Sequence, residues 1–191
     1  MSGKAWRVTG FLVLATLAGA GSAGLCLKFL SGADDIRVGP WRSSSQVGSA
    51  QASAWLRAVV AVNGILALNQ REAIYFTALV DDDGRPLSGA CRYRVAGHDV
   101  ASRWWSLTAY GADRFLIPNP GHRYSATQNT VTRAADGRYS ICISREPQAG
   151  DWIASEPGRF VLTLRAYMPS PALAAHPEAA GLPGIVREGC T

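Results

Sequence analysis

Residues 103–110 read RWWSLTAY. In an extended chain Trp105, Leu107 and Ala109 share one face, and Trp104, Ser106, Thr108 and Tyr110 share the other. Aromatic weight on both faces predicts a strand inside a sheet, covered on both sides. The neighbouring segments keep the same period of two. Ile74, Phe76 and Ala78 alternate with Tyr75, Thr77 and Leu79, and the run stops at Asp81-Asp82-Asp83-Gly84, read as a solvated turn. Cys91, Tyr93 and Val95 oppose Arg92 and Arg94, and Asp136-Gly137 is expected to join NTVTR to RYSICIS as a hairpin. In FVLTLRAY (160–167), Phe160, Leu162, Leu164 and Ala166 face inward, while Pro169, Pro171, Pro177 and Pro183 are expected to keep the tail irregular. About seven or eight short strands predict a mainly β fold, a jelly-roll-like β-sandwich. One helix is expected to pack on it. Over Ala52 to Leu68 it would present Trp55, Val59, Val62, Ile65 (with Leu66) and Asn69, with Ser53 as N-cap.

The chain has 191 residues, 48% of them hydrophobic and 17% charged, which excludes a wholly disordered chain. Its formal charge of +5 is unevenly placed. Lys4, Arg7 and Lys28 lie in the first thirty residues, where there is no acid, and the remainder sets 16 Arg against 14 acids. Those Arg are scattered, so no nucleic-acid partner is expected. Phe11 to Leu30 is apolar but for Lys28, about the length that crosses a bilayer core. Basic residues before it and Asp34-Asp35 after it place the N-terminus in the cytoplasm. A signal peptide cleaved after Ala18-Gly19-Ala20 is the competing reading, but apolar character resumes at Leu25-Cys26-Leu27, which favours an anchor held by membrane lipid over residues 11–30. Three parts follow: an anchor over 1–30, a flexible tether over 31–50 rich in Gly and Ser, and a periplasmic β-sandwich domain over 51–191.

The order of blocks Glu72–Phe76 (EAIYF), Asp81–Gly89 (D-x-x-G-x-x-L-x-G), Arg103–Tyr110, Asn119–Ser125 (N-x-x-x-RYS), Asp151-Trp152 and Leu162–Pro169 (LTLRAYMP) resembles the bacterial family catalogued as domain of unknown function 1214. The resemblance spans roughly residues 60–188. It implies a jelly-roll-like β domain and carries over no catalytic residue. The resemblance implies that many relatives bear the module behind a second uncharacterised domain, where this chain is expected to have a membrane segment and a short tether.

The sequence holds no G-x-S-x-G elbow, Gly-rich phosphate loop, C-x-x-C or H-E-x-x-H motif. His98, His122 and His176 are isolated, so neither a metal site nor a cofactor is expected. Nothing in the sequence brings Asp113 and Asp151 together as a glycosidase pair. The best polar cluster runs from Asp113 to Ser125, with Asp113, Asn119, His122, Arg123 and Tyr124 as candidate ligand-binding residues. The competing structural reading pairs Arg123 with Asp113 and has Asn119 cap a turn.

Cys91, Cys142 and Cys190 lie beyond the membrane segment, in what would be an oxidising compartment. Of the pairs 91–142, 91–190 and 142–190, the second is favoured, with no disulfide as the next alternative. A Cys at the end of a Pro-rich tail needs something to pin it, and closing a loop of about a hundred residues could contribute roughly 4 kcal/mol. The expected function is a single-pass inner-membrane protein with a non-catalytic periplasmic binding module for a small ligand or an envelope protein. The alternative is a cofactor-independent, hydrolase-like enzyme using the Asp113–Tyr124 loop.

Overall fold

The computed structural model describes residues 3–29, 36–62 and 67–190. After helix α1 (Gly3–Phe29) come β1 (Ile36–Val38), β2 (Trp41–Ser43), helix α2 (Ala54–Val62), β3 (Ala73–Ala78), β4 (Cys91–Gly97), β5 (Ser102–Gly111), β6 (Ser125–Thr127), β7 (Tyr139–Ser144), β8 (Trp152–Ala154), β9 (Phe160–Pro169), α3 (Pro171–Ala175), a single 3-10 turn and β10 (Gly184–Cys190). The strands form two sheets, ordered β1-β2-β3-β9-β5-β6 and β10-β4-β7-β8. Every pairing is antiparallel except β7 with β8. The fold is therefore a mainly β, two-sheet sandwich.

Alternation places the core. Phe76, Trp105, Leu107, Leu162 and Leu164 of the larger sheet are fully buried, as are Tyr93, Val95, Ile141, Ile143 and Ile185 of the smaller. Rings meet across the interface. Trp105 lies 4.7 Å from Tyr139 between centroids, and Tyr93 meets Phe160 edge-on at 5.6 Å. Each fully buried large apolar side chain contributes about 1.5–3 kcal/mol relative to exposure, and the two sheets supply them in facing pairs.

Several expectations are corrected. Residues 36–43 are not tether: β2 pairs with β3 at Trp41↔Ala78 and Arg42↔Thr77, and Trp41 is buried with Nε1 donating to Pro183 O at 2.7 Å. An indole that fills the core between two sheets outweighs the Gly and Ser around it. Helix α2 has its Ser53 cap, whose Oγ accepts from Leu56 N at 3.1 Å, but it turns a different face inward. Leu56 and Val59 are buried, Val62 is 71% exposed and Trp55 36%, because the nine-residue helix is covered along only one narrow stripe. Ile65 and Leu66 lie outside the described residues. NTVTR is not a strand. Both edges of β7 are taken, by β4 and β8, leaving the Asp136-Gly137 turn closed by one bridge, Arg133↔Tyr139.

The tail is regular as well. Pro171 opens α3 in the first turn, where a missing N–H costs nothing, and Ser170 Oγ caps it by accepting from Leu173 N at 3.2 Å. Pro183 directly precedes β10, which pairs along β4. The triple-Asp turn is not fully solvated either. Asp81 is 1% exposed, and Asp82 Oδ2 accepts from Ile185 N at 2.9 Å, so the turn anchors the last strand.

Helix α1 contains an apolar stretch, Trp6–Cys26, long and apolar enough to cross a membrane, with none of it buried against the body. Two of its hydroxyl side chains bond inward to their own helix. Thr16 Oγ1 donates to Leu12 O at 2.9 Å and Ser22 Oγ to Gly19 O at 3.0 Å, the arrangement a helix in hydrocarbon needs.

Candidate functional site

The Asp113–Tyr124 loop links β5 to β6. It opens in a tight turn. Arg114 N donates to Gly111 O and Gly111 N to Phe115 O, with Arg114 in the left-handed region at φ 70°. Asp113 Oδ1 accepts from Phe115 N at 2.9 Å, and the turn pushes the Phe115 ring out to 73% exposure. The second half closes on Asn119, whose Oδ1 accepts from Arg123 N at 2.8 Å while Nδ2 donates to Ile117 O and Arg123 O. His122, at φ 49°, brings Nδ1 to 3.1 Å from the Tyr124 hydroxyl. Asn119, His122, Arg123 and Tyr124 are thus gathered in one turn, and Asn119 has the capping role. Among the described residues no ion pair joins Arg123 to Asp113, and no hydrogen bond joins Asp113 to His122.

Asp113 has a different neighbour, Glu156, which the sequence reading did not single out. A Cβ built on Gly111 would lie 2.3 Å from Glu156 Oε1 and 2.8 Å from Asp113 Oδ1, so the two carboxylate oxygens are within about 5 Å of each other. The bare glycine makes that approach possible. Asp151 is elsewhere, with Oδ2 accepting from Thr132 N at 2.6 Å. Among the described residues no three His, Cys, Asp or Glu are placed to hold a metal. Cys142 is half-buried, and burial pushes its thiol up, against a hydrogen bond to Ser144 that lowers it, which keeps the reactive thiolate scarce. Cys91 and Cys190 face each other across β4 and β10 and are joined by a disulfide.

A second surface, the outer face of the six-stranded sheet, is assembled from four separate parts of the sequence. Register sets Tyr167 opposite Trp104, Arg165 between Tyr75 and Ser106, and Thr163 between Thr77 and Thr108. The Trp104 and Tyr167 rings touch at 5.1 Å. Arg165 stands among rings and hydroxyls: Nη2 donates to Tyr110 Oη at 2.7 Å and Nη1 reaches Thr108 Oγ1 at 3.4 Å. Its guanidinium carbon is 5.3 Å from the Tyr110 ring centre and 5.9 Å from that of Tyr75. Trp104, Tyr110, Arg165 and Tyr167 are half-exposed, so this face is not the second buried layer that alternation predicted for RWWSLTAY. Where β2 parts from β3 past Arg42, a cleft of about 260 Å³ opens, lined by Arg42, Ser44, Gln70, Tyr75, Thr77 and Glu178.

Two sheets with a filled interior, an outer face of rings and arginines, and a leading apolar helix define the class: a β-sandwich module carried behind a helix of membrane length. The chain belongs to the family described as "Protein of unknown function (DUF1214)", whose model matches residues 72–171. It shares its fold with the crystal structure of the VPA0106 protein from Vibrio parahaemolyticus, at a TM-score of 0.60 and 19% identity over 99% of this chain and 46% of that one. An uncharacterized protein from Burkholderia cenocepacia aligns at a TM-score of 0.44 and 23% identity, over 63% of this chain and 30% of that one. The chain therefore spans less than half the length of either solved structure. No curated protein matches it.

Proposed function

We propose that the protein is a single-pass bacterial inner-membrane protein whose sandwich lies in the periplasm and works as a non-catalytic binding module, for a small ligand or another envelope component. One observation carries the reading: an apolar helix exposed along its length leads into a sandwich that fills its own interior and leaves its spare aromatic and arginine side chains outside. The charges flanking the helix, Lys4 and Arg7 before it and Asp34 and Asp35 after it, favour export of the body. The Asp113–Tyr124 loop fits a recognition rim better than a reaction centre, since its polar groups bond within the turn while Phe115 projects from it. A reporter fused after Thr191 should be active only on the exported side, in a membrane-bound protein that retains residue 1. Reporter activity in the cytoplasm would overturn the topology, and a mature N-terminus near Gly21 would overturn the anchor.

A further inference from the structure

The six strands of the larger sheet contain Arg37, Arg42, Arg103 and Arg165 and no Asp, Glu or Lys. Register sorts these arginines by face. Arg37 lies opposite Arg42, Arg42 opposite Thr77, and Thr77 opposite Thr163, which puts Arg37 and Arg42 on the same outer face as Arg165. Arg103 falls on the other side by alternation and reaches Met168 Sδ at 3.6 Å.

Five arginines elsewhere have a carboxylate partner: Arg187 and Arg85 on Asp81, Arg133 on Asp99, and Arg92 and Arg94 on Glu188. Among the described residues no carboxylate lies within 4 Å of Arg37, Arg42 or Arg165. Glu178 lines the cleft beside Arg42 but is bonded to His176 at 3.0 Å. Arg165 is half-buried, and its two bonds to hydroxyls occupy only part of a fork of five N–H donors. A guanidinium oriented by neutral groups, with donors left over, is preorganised for an anion from outside.

The surroundings specify what carries that anion. Trp104 and Tyr167 place two rings, tilted 46° to each other, one row from Arg165 on the same face, and an exposed ring of this kind suits the flat C–H face of a sugar. Arg165 and Arg42 are separated by β3, two strand spacings or roughly 10 Å across the sheet, farther than one small anion spans. We propose that this face binds an acidic oligosaccharide, with uronate carboxylates on Arg165 and Arg42 and a sugar ring on Trp104 and Tyr167. The proposal deepens the binding-module reading and rests on it, since an exported body meets acidic glycans rather than nucleic acid.

The test uses the full chain in detergent-free nanodiscs of zwitterionic lipid, titrated calorimetrically with tetragalacturonate, its methyl ester, oligothymidylate and anionic phospholipid vesicles. Tetragalacturonate should bind, with at least tenfold loss for the methyl ester and at least tenfold loss in Arg165→Gln. Arg42→Gln, at a half-exposed position, should lose threefold or more while its melting temperature stays that of the natural protein. Equal affinity for the methyl ester, unchanged binding in both variants, no binding of tetragalacturonate at millimolar concentration, or tighter binding of oligothymidylate or vesicles would each overturn it. The reporter fusion tests export separately, so the two readings fail by different measurements.

Discussion

Arg187 Nε sits 2.8 Å from Asp81 Oδ2, and the same guanidinium lies over the Tyr93 ring, 5.4 Å from its centre. The two charges are 106 residues apart in sequence, and the Asp81 side chain is 1% exposed. Asp81 Oδ1 also accepts from Arg85 N at 2.8 Å, so the carboxylate is saturated by the turn it opens and the strand it holds. Replacing one member of such a pair leaves the other charged and poorly solvated. Asp81→Ala should lower unfolding stability by about 3–5 kcal/mol, measured by urea denaturation of the detergent-solubilised protein. A loss under about 1 kcal/mol would mean that β10 is held by other contacts.

Trp105 is fully buried, with Nε1 donating to Asp99 Oδ1 at 2.9 Å. Trp105→Ala removes the ring that packs on Tyr139 and should cost about 3–5 kcal/mol. Trp105→Phe keeps most of that packing and should cost less than half as much, which isolates the indole hydrogen bond.

Burial pushes the Asp99 carboxyl up, but hydrogen bonds from Arg133 and Trp105, with the Arg133 charge, outweigh it and hold the carboxyl below its ordinary value. A depressed carboxylate contributes stability that is present above its unfolded pKa of about 3.9 and is lost as pH falls through the lower folded value. The stability gap between the natural protein and Asp99→Asn should therefore narrow from pH 7 to pH 3. A gap that stays constant across that range would show that the Arg133 pair contributes nothing through charge.

Gly89 N donates to Gly158 O at 2.8 Å, which presses that backbone against the next segment. A Cβ at Gly89 would lie 1.6 Å from Glu156 O, a backbone atom that cannot step aside. Gly89→Ala should cost about 1–3 kcal/mol. Gly181→Ala, with nothing within 4 Å, should change stability by less than about 0.5 kcal/mol. Thermal melting of the two variants side by side checks the contrast.

Reducing the Cys91–Cys190 bond opens a loop spanning 99 residues and should cost roughly 4 kcal/mol on the chain-entropy account. Cys190→Ser should reproduce the loss without reductant. Peptide mapping under non-reducing conditions checks the linkage itself, and a freely alkylated Cys190 in the native protein would refute it.

The period of two was enough to place the main core. Phe76, Trp105, Leu107, Phe160, Leu162 and Leu164 are buried on the faces that alternation assigns them. It fails where burial comes from a distant partner. Nothing local in DDDG announces that Arg187 will fold over Asp81, and nothing local around Trp41 announces Pro183 O as its acceptor. The short strands 36–38 and 41–43 have too few residues for a period to show. The prolines mislead because Pro171 and Pro183 sit at the start of elements, not inside them. At the candidate site, the local part was legible: the Asn119–Tyr124 turn needs only neighbouring residues. The Asp113–Glu156 approach and the Arg165 face were not, because they depend on register between strands far apart in sequence.

The last strand has a bearing on when this molecule can become stable. Residues 184–190 provide the outer neighbour of β4, the partner of Cys91, the cation for Asp81 and the N–H held by Asp82. A chain delivered N-terminus first, by the ribosome or through a pore, must keep the 80–97 region without these partners until residues 184–190, about a hundred positions later, have emerged. Such long-range closure makes folding slow and its completion all-or-none. Truncation of the final strand should thus act earlier than a loss of affinity or of marginal stability. It should leave a half-made sandwich with a bare sheet edge, the kind of intermediate that chaperones and proteases recognise.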